Sequence, residues 1–138
     1  MNELIVEANI ESLDTVTKFV NKKLTCSLCP PSFQGDINLA VEEVFTNIVN
    51  HAYQPAGGSA FISVAVANEE VFVRFEDMGK PYNPLEHPEP DFEKPVMERK
   101  IGGLGVFLVK RLMDSVEYAR IDNKNILVIR KKITESCP

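Results

Sequence analysis

No stretch of this chain approaches the roughly 20 consecutive apolar residues that a membrane-spanning helix needs. The N-terminus, MNELIVEANI, lacks the basic start and apolar centre of a secretory signal. The cytoplasm is therefore the expected location, with no membrane association. Basic charge is not in excess either: 15 Lys and Arg stand against 20 Asp and Glu, a net charge of −5. Neutralising the phosphates of a nucleic acid takes clustered Lys and Arg, so direct nucleic-acid binding is not expected. A nucleotide is not excluded by the same balance, because its site relies on local donors and a divalent cation. Metal-ligating side chains are few and scattered, with Cys26, Cys29, Cys137, His51 and His87 completing the cysteines and histidines. Cys26-x-x-Cys29 is open to three readings: a redox pair, half of a zinc site without partners at matching spacing, or small residues at a helix end kept reduced. The scatter favours the last.

What is present suits one domain over residues 1–138. The 44% hydrophobic and 25% charged fractions are those of an ordinary globular protein, long enough to bury a core, with no internal repeat or boundary. The organising stretch is Leu39–Tyr53, LAVEEVFTNIVNHAY. At about 100° per residue, Ile37, Val41, Val44, Ile48 and Ala52 form one apolar stripe of a helix. Glu43, Asn47 and His51 stack at spacings of four along one edge of that stripe. A carboxylate and a carboxamide bordering a core cost desolvation unless partnered. Two readings stand here: a half-exposed helix edge of hydrogen-bonded polar residues, or a site in which Glu43 accepts a proton and Asn47 offers its oxygen to Mg²⁺ beside a phosphate chain.

In chain order, Glu3–Ile10 reads as a first strand, at an edge. Ser12 is the expected N-cap of a helix through about Leu24, and Pro30–Pro31 end that unit. Gly35 and Asp36 lead into the central helix, with Asp36 at its positive end. The cluster Gln54-Pro55-Ala56-Gly57-Gly58 stops it. Phe61–Ala67 and Val71–Asp77 alternate as strands across an Asn68-Glu69-Glu70 turn. Period two puts Asp77 on the face of Val71, Val73 and Phe75. An acid ending an apolar row either starts the next turn or needs a donor, and the amino group of adenine in a greasy pocket is a good one. Met78–Pro84 is a loop. Residues 85–102 form a long polar segment with Pro88, Pro90 and Pro95, expected as a mobile lid or a disordered loop, in which Arg99 is either a solvated charge, the commoner fate, or the residue that reaches a terminal phosphate. Ile101-Gly102-Gly103-Leu104-Gly105 opens a helix through about Asp114, and glycines there let backbone N–H groups face an anion. No Lys-Ser/Thr follows, which rules out a Walker P-loop, and no strand immediately precedes, which rules out a Rossmann fingerprint. Val116–Ile121 and Ile126–Ile133 pair across a four-residue turn, Asp122–Asn125, and the tail 134–138 is expected to fray.

Three motifs in fixed order carry a resemblance over almost the whole chain. Glu43-x-x-x-Asn47 resembles the N box of the GHKL ATPases, Asp77-x-Gly79-x-Pro81-Tyr82-Asn83-Pro84 resembles their first glycine box, and Gly103-x-Gly105 the second. The box and the helix GLGVFLVKRLMD look most like the stand-alone bacterial anti-sigma factor serine kinases. That resemblance implies a Bergerat-type α/β fold, an α+β two-layer sandwich whose mixed, mostly antiparallel sheet carries its helices on one face. It also implies ATP and Mg²⁺ as ligands. Glu43 would be the general base and Asn47 the Mg²⁺ ligand. Asp77 would bond the adenine amino group, with Gly79 leaving room for the base. Gly103, Leu104 and Gly105 would form the phosphate-binding turn and lid hinge, and Arg99 would belong to the nucleotide site. The implied partners are an antagonist protein phosphorylated on serine and a sigma factor or analogous regulator, with a homodimer left open. Gly102 departs from the pattern, giving Gly-Gly-x-Gly and a looser lid. The alternative to an active kinase is a nucleotide-dependent binding module of the same fold with little or no phosphotransfer.

Overall fold

A computed structural model gives the architecture, and it describes residues 3–52, 57–86 and 103–133. Five strands form one sheet: β1 (Glu3–Glu7), β2 (Ser59–Ala67), β3 (Glu70–Asp77), β4 (Ser115–Ile121) and β5 (Lys124–Lys132), in the order β1-β2-β3-β5-β4. Every pairing is antiparallel, so the antiparallel majority expected from the sequence is the whole of the described sheet. One face carries Ala60, Ile62 and Val64, then Val71, Val73 and Phe75, then Leu127 and Ile129, all buried. Against this face lie helices α1 (Leu13–Cys26), α2 (Pro31–Asn47) and α3 (Gly103–Leu112). The expected two-layer α/β arrangement is therefore observed. Among the described residues no helix is long and apolar enough to cross a membrane.

The apolar stripe of the central helix is the ridge that faces the sheet. Ile37, Val41, Val44, Ile48 and Ala52 are all buried, joined by Ala40 and Phe45. The helix itself starts earlier than its sequence suggests. Pro31 occupies the first helical turn, where its missing N–H is no loss, so the proline taken as a terminator is an initiator. Gly35 and Asp36 consequently sit inside α2. Asp36 is not at the positive end; it lies 3.9 Å from Lys131 Nζ. The same Nζ donates to the Leu112 carbonyl at 2.6 Å, a cation closing the negative end of α3.

Past Asn47 the winding widens to a π-turn over Ile48–Ala52. Such turns often stand at functional sites, because the extra residue re-aims the side chains beyond it. Other boundaries also move. The first strand ends at Glu7, and Ile10–Ser12 is a short 3₁₀ turn. Asn9, not Ser12, does the capping: Asn9 Oδ1 accepts from Ser12 N at 3.0 Å, while Ser12 makes no side-chain cap. Both hairpins close through two residues with positive φ, Asn68–Glu69 and Asp122–Asn123, the mark of a type I′ turn. Glu70, Lys124 and Asn125, read as turn residues, therefore belong to strands. α3 ends at Leu112, short of Asp114. Of the expected lid, Leu85 and Glu86 form a 3₁₀ turn with Pro84; residues 87–102, Arg99 among them, lie outside the described residues, as does the tail 134–138.

Candidate functional site

Two polar side chains are buried among the described residues, Asp77 at 3% exposure and Asn125 at 5%. They are cross-strand partners on β3 and β5, on the face that packs against the helices. Period two along β3 puts Asp77 there, as the sequence predicts. Asn125 is the residue that sequence reasoning missed. The two-residue turn at Asp122–Asn123 shifts the β4–β5 register so that Asn125 enters the strand opposite Asp77. The signal was Asp122-Asn123 itself, a dipeptide whose residue types tolerate the positive φ of a tight hairpin.

Asp77 Oδ1 accepts two hydrogen bonds, from Gly79 N at 3.0 Å and from Asn125 Nδ2 at 2.9 Å. Among the described residues no hydrogen bond reaches its second oxygen, Oδ2. Burial pushes the Asp77 carboxyl above the usual carboxylate range. The bonds from Asn125 and Gly79 and the nearby Arg120 guanidinium oppose that rise. Arg120 also donates to the Gly79 carbonyl at 2.8 Å, tying the loop after β3 to β4.

A small, largely apolar cavity opens beside Asp77. Its walls are Val44, Ile48 and Ala52 from α2 and the π-turn, Phe75 and Leu127 from the sheet, and Tyr82, Pro84 and Tyr118 around the rim. Asn47, Asp77 and Asn125 are the polar groups in the lining. An apolar slot with a buried carboxylate oxygen at one end can take a planar base that offers an amino donor. Two expected site residues, Asn47 and Asp77, thus share one cavity.

Gly79 and Gly105 are required by close approach, each to a different partner. A Cβ on Gly79 would stand 2.2 Å from the Ala52 carbonyl oxygen. What the missing side chain admits is therefore the end of the π-turn, a role sequence reasoning gave to the ligand. Lys80 N donates to that same carbonyl at 2.9 Å, and the His51 and Tyr82 rings stack at 4.3 Å and 11°, docking the loop onto the turn. A Cβ on Gly105 would stand 2.4 Å from Glu43 Oε2. The Glu43 carboxylate therefore lies against the first turn of α3, where the unpaired N–H groups of a helix start favour negative charge. Glu43 and Gly105 are brought together, one helical turn from Asn47. The side chain of Leu104 and all of Arg99 lie outside the described residues.

These residues fit an adenine nucleotide with its cation. Asp77 Oδ2 and the apolar walls suit the base, and the start of α3 suits phosphate. No group of three or more His, Cys, Asp or Glu able to hold a metal occurs among the described residues. A Mg²⁺ at Asn47 would thus draw most of its ligands from phosphate and water, which is how this ion is usually held. Neither Cys26 nor Cys29 lines this cavity. Cys26 is exposed, whereas Cys29 is buried, its thiol pushed up by that burial and donating to the Pro30 carbonyl at 3.6 Å.

The model of the histidine kinase-like ATPase domain matches residues 6–131. The serine-protein kinase RsbW of Halalkalibacterium halodurans is 37% identical over 86 residues, 59% of this chain and 52% of that protein. The serine/threonine-protein kinase BtrW of Bordetella bronchiseptica is 28% identical over 94 residues, 67% of this chain and 66% of that one. The chain thus spans about half to two thirds of the curated relatives it matches. Among solved structures, the RsbU and RsbW domains of Rv1364c from Mycobacterium tuberculosis align with a TM-score of 0.66 at 16% identity, covering 99% of this chain and 34% of that one. The SiaB–SiaC complex from Pseudomonas aeruginosa aligns with a TM-score of 0.57 at 13% identity, covering 93% and 88%. At those identities the two structures speak for the fold alone.

Proposed function

We propose a function for a chain that belongs to the histidine kinase-like ATPase domain family: it is an ATP-binding regulatory protein-serine kinase. Its substrate is a serine of an antagonist protein, and it also binds a sigma factor or analogous regulator. The observation that carries this reading is the pairing of an apolar cavity lined by Asp77 and Asn47 with a second carboxylate, Glu43, lying at the start of α3. Similarity to the RsbW and BtrW protein kinases supports the reaction class, and with it a protein as substrate.

In this reading Asp77 Oδ2 accepts from the adenine amino group, and the apolar walls exclude water from the base. Asn47 would hold Mg²⁺, which would supply charge neutralisation at the phosphates. Backbone N–H groups from Gly103 to Gly105 face the phosphates. ATP, when bound, supplies the γ-phosphoryl group that is transferred. Glu43 takes the proton of the attacking serine hydroxyl, directly or through water, the one proton movement the protein must manage in a phosphoryl transfer dominated by positioning. Arg99 is assigned to the terminal phosphate on the resemblance alone.

The test is transfer of label from γ-labelled ATP to a serine of the antagonist purified from the source cells, with the wild type and with Glu43→Ala. The expected result is labelled serine with the wild type, no label with the variant, and equal ATP affinity in both. Label transferred equally by Glu43→Ala would remove that residue from its role. ATP binding with no transfer by either protein would favour a nucleotide-dependent binding module.

A further inference from the structure

Asn125 makes four hydrogen bonds, which is all that a carboxamide can make. Nδ2 donates to the Lys80 carbonyl at 2.8 Å and to Asp77 Oδ1 at 2.9 Å. Oδ1 accepts from Tyr82 N at 3.3 Å and, at short range, from the Tyr118 hydroxyl. Two of these partners are main-chain groups whose polarity is fixed, since a backbone N–H only donates and a carbonyl only accepts. They settle the orientation of the amide, with Oδ1 toward Tyr82 and Nδ2 toward Lys80. The second Nδ2 hydrogen then has one destination, Asp77 Oδ1. With Gly79 N on that same oxygen, the carboxylate is held by one end and offers the other.

We propose that Asn125 is a positioning residue that sets which base the cavity accepts, by holding Asp77 with Oδ2 turned to the ligand as a hydrogen-bond acceptor. The inference rests on the adenine reading of the cavity and adds a residue outside the three sequence motifs. Its chemistry is selective. An acceptor at this point favours a 6-amino purine and repels a 6-oxo purine, whose oxygen is also an acceptor. Asn125 itself has no donor or acceptor left over, so its influence on the base passes through Asp77. A buried amide on a strand whose neighbouring inward residues are Leu127 and Ile129 is costly unless every group is satisfied. Here every group is satisfied, in one orientation, and that orientation determines the carboxylate.

The experiment compares the Kd of ATP and of inosine triphosphate, by calorimetry, for the wild type and Asn125→Ala. The expected result is a wild type that prefers ATP and a variant whose ATP Kd rises about tenfold or more, the worth of a charge-assisted hydrogen bond. Its inosine triphosphate Kd should stay within about twofold of wild type, because that ligand never used the acceptor. Equal weakening of both nucleotides would show a merely structural role and overturn the proposal, as would an unchanged preference. A wild type that binds ATP without preference over inosine triphosphate would overturn the adenine reading and this inference with it. Should Asn125→Ala fail to fold by circular dichroism, Tyr118→Phe carries the test. It removes one of the two donors to Oδ1 from a half-buried side chain and so loosens an amide whose orientation the main chain still sets; a smaller fall in preference of the same sign is expected, with an unchanged preference overturning the proposal.

Discussion

Replacing Asp77 by Asn should make the protein more stable at neutral pH and worse at holding adenine. The substitution preserves shape and keeps Oδ1, which still accepts from Gly79 N at 3.0 Å and Asn125 Nδ2 at 2.9 Å. It turns the free oxygen into an amino group, so a donor meets the donor of the base. Loss of a hydrogen bond to a charged acceptor costs about 1.5–3 kcal/mol, which is about 10- to 150-fold in Kd. The stability effect has the opposite sign. Burial raises the folded-state pKa of Asp77 above the ordinary 3.8, so the native state binds this proton more tightly than the unfolded chain does. Its favourable contribution is present in full below the unfolded pKa and is lost as pH climbs through the folded one. The variant has no such proton. Its advantage over wild type should therefore grow from pH 3.8 upward and level off above the raised value. Urea unfolding of both proteins across about pH 3–8, paired with ATP titration near neutral pH, reads both effects. A variant less stable than wild type at neutral pH, or a stability difference that does not change with pH, would refute the desolvation argument. Unchanged ATP affinity would refute the placement of Oδ2.

The two glycines at the site should respond differently. Gly79→Ala drives a Cβ into the Ala52 backbone and should cost roughly 1–3 kcal/mol by overpacking, visible in thermal melts together with weakened nucleotide binding. Gly105→Ala meets only the end of the Glu43 side chain, so the melt should change by about 1 kcal/mol or less, while phosphotransfer falls because the carboxylate is displaced. Gly35→Ala, inside α2 with open space around its Cβ, should stabilise the protein by about 0.5–1 kcal/mol, a few degrees in Tm; a drop would contradict the helix beginning at Pro31. Asn47→Ala should remove the Mg²⁺-dependent part of ATP affinity and leave the metal-free part, and equal Mg²⁺ dependence in both proteins would count against Asn47 as a ligand.

Legibility in the sequence followed the range of the interactions. The stripe from Ile37 to Ala52 and the inward Asp77 depend on one element's own periodicity, and both were readable. Pro31 misled because a proline ends one helix and starts the next with equal ease, and only its partners decide. Asn125 was lost to a hairpin counted two residues too long, and even the right count would have left its partner unknown. Its pairing with Asp77 joins β3 to β5 across a separation of 48 residues. The contact of Glu43 with Gly105 is likewise tertiary, although their residue types and order made each visible separately as motif members.

Calorimetric titration of the purified chain with ATP, ADP and GTP, with and without Mg²⁺, tests the nucleotide site most directly. The adenine nucleotides should bind, Mg²⁺ should strengthen ATP binding, and the Asp77 acceptor should discriminate against GTP. Absence of binding under every condition, or GTP binding as tightly as ATP, would contradict the assignment of the cavity to adenine.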